Sequence, residues 1–321
     1  MNVRIFTPGN VMLLCCSLLF LCWKKDNRKT LFNYKTFEKT LRCIPKGKFE
    51  FDDSAETSGY KIKSRMIKVD SFYMCDHVVS NEEYRIFLTE LKNTDKSLYR
   101  RMFPDTLVWR RNNMGFMEDM VKYYLRHPAY GNYPVVGVSH EQAEYYCKWL
   151  TECYKKEPRR KFKNAVFKLP TLYQWEKAAL GGLEVSPFPW GSPYLVNSSR
   201  KFRGQRMANY LFIPEQSIKR ISDSNAHGKL TISYIGWMNG FTENEFDAEI
   251  TSPVKSYWPN GYGLYNMAGD VAEYVSEVGI SKGGSWCDPA FYLQIWAEQY
   301  YSNAQSVSNK IGFRVAMEVG K

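Results

Sequence analysis

Apolar and polar positions along the chain define three amphipathic segments, each opened by the same polar signature. Ser80-Asn-Glu-Glu83 precedes Tyr84, Phe87, Leu88 and Leu91. Ser139-His-Glu-Gln142 precedes Ala143, Tyr146, Cys147 and Leu150. Thr171-Leu-Tyr-Gln174 precedes Trp175, Ala178 and Ala179, and Gly181-Gly182 closes that segment. Spacings of three and four put each apolar set on one helix face. Each leading hydroxyl can accept a bond from a free first-turn N–H while the Glu or Gln reaches back, so each predicts a capping box. Met66–Met74 alternates instead, with Ile67, Val69, Ser71 and Tyr73 on one face, and predicts a strand. RCIPKGKFEF reads as a strand around a Pro-Lys-Gly turn. Cys147, on an apolar helix face, reads as a core residue; Cys153 lies six positions on and does not share that face closely.

Before these elements stands an unbroken apolar run, Val11–Trp23. It is shorter than the roughly 20 residues of a membrane-spanning helix and has the length of a signal-peptide core. Cys15, Cys16 and Cys22 lie in or at this run and also allow a lipoprotein signal, although Leu21 stands before Cys22 where a small residue is expected. The expected organisation is a signal over residues 1–23, a basic linker over 24–40 and a single domain over 41–321.

Charge and composition narrow the function. The 321 residues include 44 Lys and Arg against 33 Asp and Glu, a formal net charge of +11, and 16% aromatic residues. A basic surface suits acidic partners, lipid headgroups or nucleic acid. The chain carries no nucleic-acid-binding motif, so a solvated basic surface on an exported protein is expected. The densest basic run, Lys155–Lys168, reads as a solvated loop between helices. Among the eight cysteines no Cys-x-x-Cys pair occurs, which excludes a zinc ribbon. His77, His127, His140 and His227 are scattered and read as surface or capping residues.

The most informative stretch is Pro259–Ser285, PNGYGLYNMAGDVAEYVSEVGISKGGS. Asn266, Gly269 and Glu273 are spaced as Asn-x-x-Gly-x-x-x-Glu. The Asn and Glu oxygens and the carbonyls of a glycine turn are hard donors of the kind calcium takes. An ordinary Gly/Asn turn leading into a strand has the same pattern.

This stretch resembles the Gly-Leu-x-Asn-x-x-Gly-Asn-x-x-Glu-Trp signature of formylglycine-generating-enzyme-like, or sulfatase-modifying-factor, domains. KGGSW (Lys282–Trp286) and IGFRVAMEV (Ile311–Val319) resemble the segments that follow it there. VDSFYMCDHVVSNEEYRIFL, YPVVGVSHEQAEYYCKWL, KLPTLYQWEKAALGG and Pro189-Trp-Gly191 are similar to earlier family segments. The resemblance spans about Arg42 to Val319. It implies an α+β fold related to C-type lectins, with little regular secondary structure.

The family's enzymes oxidise a sulfatase cysteine to formylglycine with copper held by two cysteines. Carried onto this chain, those positions are Asp288 and Leu293, with Cys287 one residue early and no second cysteine nearby. Two thiolates suit Cu(I) because they are soft ligands, so copper and the oxidase chemistry are not expected. The resemblance also implies calcium held by the side chains of Asn266 and Glu273 and the main chain of Gly269 and Val271, and a second calcium set at Asn209, Tyr210 (through its main chain) and Asp247, with Glu249 nearby. Phe103–Ser139 and KGGSWCDPAFYL further resemble the gliding-motility and type IX secretion lipoproteins of Bacteroidetes. That branch is non-enzymatic and builds a ring with a partner protein at the periplasmic face of the outer membrane. The expected function is therefore structural or assembly work in the envelope, with envelope or secretion proteins as partners and association with the outer membrane through a lipid anchor. The alternatives are an active sulfatase-modifying oxidase and a calcium-dependent lectin-like module.

Overall fold

A computed structural model describes residues 32–52, 64–110, 117–212, 218–221, 231–234 and 250–320. The expected signal segment with Cys15, Cys16 and Cys22 lies outside the described residues, as do His227, Asp247 and Glu249. Contacts divide the chain into Met1–Asn33 and Tyr34–Lys321, and the second unit carries all the elements below. This unit begins ahead of the expected start at Leu41. A short helix, α1 (Tyr34–Glu38), turns Phe37 edge-on to Phe167 with ring centres 5.3 Å apart. The polar composition of Lys24–Lys39 concealed it, because a single apolar residue anchors the helix.

All three expected capping boxes are present. Helix α2 (Asn81–Thr94) is capped by Ser80 and Glu83. After α3 (Lys96–Met102) and α4 (Glu118–Tyr123), helix α5 (His140–Lys155) is capped by Ser139 and Gln142, and α6 (Leu172–Leu180) by Thr171 and Gln174. Gly181 ends α6 in the left-handed region at φ 61°. Any side chain there would also collide with Gly261, whose N would lie 2.8 Å from the added carbon. The apolar faces of α2 and α5 meet through stacked Tyr84 and Tyr146 and through Phe87 and Trp149.

Strands β1 (Leu41–Ile44), β4 (Phe72–Cys75), β5 (Ala165–Lys168) and β12 (Ala316–Val319) form an antiparallel sheet in the order β1-β4-β12-β5. A second sheet runs β10 (Glu298–Tyr300), β9 (Ile280–Lys282), β8 (Ala272–Tyr274), β11 (Ile311–Phe313), and only its β8–β11 pair is parallel. Strands β2 (Gly47–Asp52) and β3 (Ser64–Val69) pair antiparallel, and so do β6 (Ile218–Ile221) and β7 (Thr231–Tyr234). The alternation read as one strand over Met66–Met74 is thus two strands in two different sheets, broken at Asp70–Ser71. Alternation reports which face is buried, not which strand is the neighbour. The run Lys155–Lys168 likewise ends in β5.

Helix α6 sits over the junction of the two sheets. Its Trp175, Ala178 and Ala179 pack with Ile44, Phe72, Met74, Met267, Val275 and Ala316. Leu264, Met267 and Val275 of the stretch Pro259–Ser285 belong to this core, which anchors the loop on either side of β8. Among the described residues no helix is long and apolar enough to cross a membrane.

Candidate functional site

The loop ahead of β8 is shaped by three left-handed residues, Asn266 (φ 50°), Gly269 (φ 73°) and Asp270 (φ 69°). A side chain at Gly269 would begin 2.3 Å from the Asn209 carbonyl oxygen, so glycine is required both by backbone conformation and by this close approach. The approach lets Asp270 N donate to that same carbonyl at 2.8 Å. It also joins the two expected donor sets, Asn209 from one and Asn266 from the other, around a residue that sequence reasoning passed over. The Asp270 carboxylate accepts from Ser252 N (2.5 Å), from Asn266 Nδ2 (3.1 Å) and from Asn209 Nδ2 (3.5 Å). Burial pushes its pKa up to about 7, against the pull of those donors. Asn209 is committed further, donating to Ile250 O and Ser252 Oγ. Tyr210 is buried beside Leu293.

The expected calcium donors are therefore close together but not equivalent. Asn266 Oδ1 is buried without a hydrogen-bond partner and is an acceptor that suits a cation. Val271 packs its side chain into an apolar cluster, which does not engage the main-chain oxygen expected as its donor. Glu273, the charged member of the set, is committed elsewhere. Arg314 reaches it with Nη2 at 2.7 Å and Nε at 3.0 Å, and Trp175 Nε1 donates at 2.9 Å. Arg314 and Glu273 are 0% and 1% exposed, and Arg314 also holds the carbonyls of Cys75 and Tyr265. A carboxylate neutralised in this way offers a divalent cation little attraction, so Glu273 as arranged does not fit the role of a calcium ligand. The signal lay in the sequence, since Arg314 stands in the GFR motif, but nothing local says that Arg314 folds back onto Glu273 some forty positions earlier.

The positions expected from the resemblance to match the enzymes' copper site, Asp288 and Leu293, follow the Gly283-Gly284 turn, where both glycines have positive φ. Ser285 Oγ donates to Asp288, whose other oxygen lies 3.3 Å from Lys310 Nζ. Leu293 is fully buried among Phe188, Ala208, Tyr210 and Ala268. Cys287 is half-buried, and burial raises its thiol to about 11 although Lys310 pulls it down. Its neighbours are Ser285, Asp288, Lys310 and the apolar cluster of Trp286 and Val307. The other described thiols are Cys43, which is exposed, and Cys75, Cys147 and Cys153, which are buried; all five are free. Burial raises Cys153 to about 12 and Cys75 and Cys147 beyond that, so these three are poor thiolate donors.

The described residues of the segment Phe103–Ser139 are built into this place. A one-turn helix (Thr106–Trp109) and α4 present Val108, Trp109, Val121 and Tyr124 to Trp286, Val136, Val254 and Val271, and Cys287 packs against the same cluster. Trp109 stacks on Trp286 with ring centres 6.2 Å apart, and Tyr124 Oη is bonded to Pro134 O and Thr251.

His77 corrects the expectation of a surface histidine. It is buried between Asp76 (2.6 Å) and Glu83 (3.3 Å). Burial alone would lower its pKa, but Glu83 and Asp76 raise it to about 9. His140 is buried too, with Nε2 at 2.8 Å from Val275 O, while His127 is a capping residue as expected. A second buried ion pair joins Lys282 Nζ to Glu176 at 2.6 Å.

Set beside known proteins, the chain matches the sulfatase-modifying factor enzyme 1-like domain over residues 33–319 and belongs to that family. It is 26% identical to the formylglycine-generating enzyme of Mus musculus, covering 86% of this chain and 74% of that one. It is 24% identical to the inactive C-alpha-formylglycine-generating enzyme 2 of Bos taurus, covering 87% and 88%. Among solved structures, PvdO from Pseudomonas aeruginosa superposes with a TM-score of 0.54 at 17% identity, covering 87% of this chain and 94% of that one. The fold is thus that of the formylglycine-generating-enzyme-like domains, mixed in helix and strand with modest regular content.

Proposed function

We propose that this chain is a non-catalytic member of the family that acts as a structural or assembly component of the cell envelope. The observation that carries the first half is the fate of the two copper positions. Asp288 is tied to Ser285 and Lys310, and Leu293 is a core residue. Neither can supply a thiolate, and the neighbours of Cys287 include no second thiol. An inactive relative among the similar proteins supports the same reading.

The second half rests on the segment Phe103–Ser139, whose likeness to the gliding and type IX secretion lipoproteins drew attention in the sequence. It packs its aromatic residues onto Trp286, beside the position an enzyme would keep for its metal. On the outer side of the same segment Leu107 and Tyr123 stay exposed and would serve contact with another protein. In this reading the chain is exported, works at the periplasmic face of the outer membrane, and is held there by a lipid on one of Cys15, Cys16 or Cys22.

The test is fractionation of cells producing the full chain, followed by cross-linking and sizing. Recovery with the envelope in a complex of fixed stoichiometry supports the proposal. A chain recovered as a soluble cytoplasmic monomer contradicts it.

A further inference from the structure

The densest basic run, residues 155–168, holds seven cations and one carboxylate, Glu157. It leaves the C-terminal end of α5 and returns as β5. Lys155, Lys156, Arg159, Lys161 and Lys163 are exposed. Like charges in a loop repel and favour a spread, mobile backbone. This loop is instead held in place. Lys161 N donates to Glu38 Oε1 at 2.7 Å, Tyr154 Oη donates to the same oxygen at 2.5 Å, and Phe162 N donates to Tyr154 Oη at 3.2 Å. Arg160 turns onto the loop's own carbonyls, with Nη1 2.9 Å from Glu157 O. Phe162 packs on Tyr73 with ring centres 4.7 Å apart, and Gly320 N donates to Asn164 O at 3.0 Å.

The carboxylates nearby do not neutralise the exposed cations. Glu38 is taken up by the two bonds above, Glu152 pairs with Lys155 at 2.9 Å, and Glu318 pairs with Lys168 at 2.6 Å. Lys161 Nζ lies 5.1 Å over the Phe162 ring and Lys163 Nζ lies 3.3 Å from Pro158 O, so both keep their charge. Lys156, Arg159, Lys161 and Lys163 thus have no carboxylate partner among the described residues. Glu38 also fixes where this loop sits, because it belongs to α1, the first helix of the domain. Lys35 and Lys39, on and just after α1, are exposed as well. Residues 24–31, which join the domain ahead of α1, add Lys24, Lys25, Arg28 and Lys29 against Asp26 alone.

We propose that the face made by α1 and the 155–163 loop lies against an anionic phospholipid surface. The choice of a bilayer rests on the envelope reading above: a lipid carried ahead of α1 tethers the chain beside this loop. A single acyl chain attaches a protein only marginally, and a polybasic patch is the kind of second signal that makes attachment stable. Each Lys or Arg brought near an anionic surface strengthens binding by about fivefold. A single-stranded nucleic acid would call for rings free to stack on its bases, whereas Phe162, the aromatic residue among the exposed cations, is turned onto Tyr73.

The test is co-sedimentation of the purified full chain with phosphatidylcholine vesicles, with and without phosphatidylglycerol. The ratio of the two partition coefficients isolates the effect of charge from any apolar attachment. The chain should prefer the anionic vesicles by about tenfold or more, and the preference should fade as salt is raised. Lys156→Gln, Arg159→Gln, Lys161→Gln and Lys163→Gln together should cut it by about tenfold. All four side chains are exposed, so the melting temperature should hold. Should it fall, Lys156→Gln with Arg159→Gln alone should still lower the preference. Lys122, Arg200, Lys201 and Arg203, also exposed, form the control: exchanging these for Gln should leave the preference within about twofold, because charges held off the bilayer are screened. Equal partition into both kinds of vesicle overturns the proposal. So does an equal loss in the control variant, which would mean that net charge alone is felt, or tighter binding of a thymidine oligonucleotide or of polyglutamate than of the vesicles. Fractionation of cells tests the envelope reading separately. A chain recovered with the envelope but without the anionic preference overturns this proposal alone, and a cytoplasmic chain that keeps the preference through this face contradicts the envelope reading alone.

Discussion

Glu273→Gln keeps the shape of the side chain and removes its charge, leaving Arg314 fully buried with only neutral partners. Arg314 would still hold the carbonyls of Cys75 and Tyr265 at 3.1 and 2.7 Å, and Trp175 could still donate to the amide oxygen. The remaining loss is that of an ion pair with one partner removed, about 3–5 kcal/mol when both groups are buried. Retention of the two carbonyl bonds places the expected cost near the lower figure, about 3 kcal/mol. For a domain of this size each kcal/mol lowers the melting temperature by about 2–4 °C, so a drop of roughly 6–12 °C is expected. Circular dichroism melts at pH 7, in millimolar calcium and again in chelator, read it directly. The same drop should appear in both buffers, because the charge is compensated by Arg314. A loss confined to the calcium buffer refutes the argument and restores Glu273 as a metal ligand, and no measurable loss in either buffer refutes it as well.

Asp270 makes stability depend on pH in a defined direction. Its folded pKa is raised to about 7, above the value in an unfolded chain, so the folded state loses stability as pH rises from about 4 to about 7. Asp270→Asn should flatten that part of the profile, by at most on the order of 4 kcal/mol, since the Asn266 amide can turn to present its unpartnered oxygen. Denaturant midpoints at pH 5 and pH 8 check this, and an unchanged slope would count against it. His77 acts at the other end. Its raised pKa contributes stability that is present below about 6.5 and lost as pH climbs through about 9. His77→Gln should abolish that alkaline decline, as melts at pH 6 and pH 10 would show. Ser139→Ala removes the cap of α5 and should cost about 1 kcal/mol, visible as a small shift of the denaturant midpoint at constant slope.

What the sequence disclosed, it disclosed through local chemistry. Ser80, Ser139 and Thr171 announced their helices because a cap and its partner lie three residues apart. Leu293 read as unable to replace a thiolate because it is a hydrocarbon, and it is buried in an apolar cluster. What stayed hidden depends on long-range contact. The alternation of Met66–Met74 could not say that Val69 and Phe72 belong to different sheets. Asn266, Gly269 and Glu273 looked like donors because their spacing is local, whereas Arg314 and Asn209 reach them from distant strands and loops. His77 looked like a surface residue because its partner Glu83 is one helical turn into α2 and its neighbour Asp76 folds inward with it.

The central claim is that the oxidase chemistry has been replaced by packing. The purified chain should be given copper, oxygen and a peptide carrying the sulfatase Cys-x-Pro-x-Arg motif, beside an active family enzyme. Mass spectrometry would then follow conversion of the peptide thiol to an aldehyde. The account predicts aldehyde from the control enzyme and none from this chain. Turnover by this chain would contradict it, and would mean that Cys287 is supplied with a second thiolate that its neighbours Ser285, Asp288 and Lys310 do not provide.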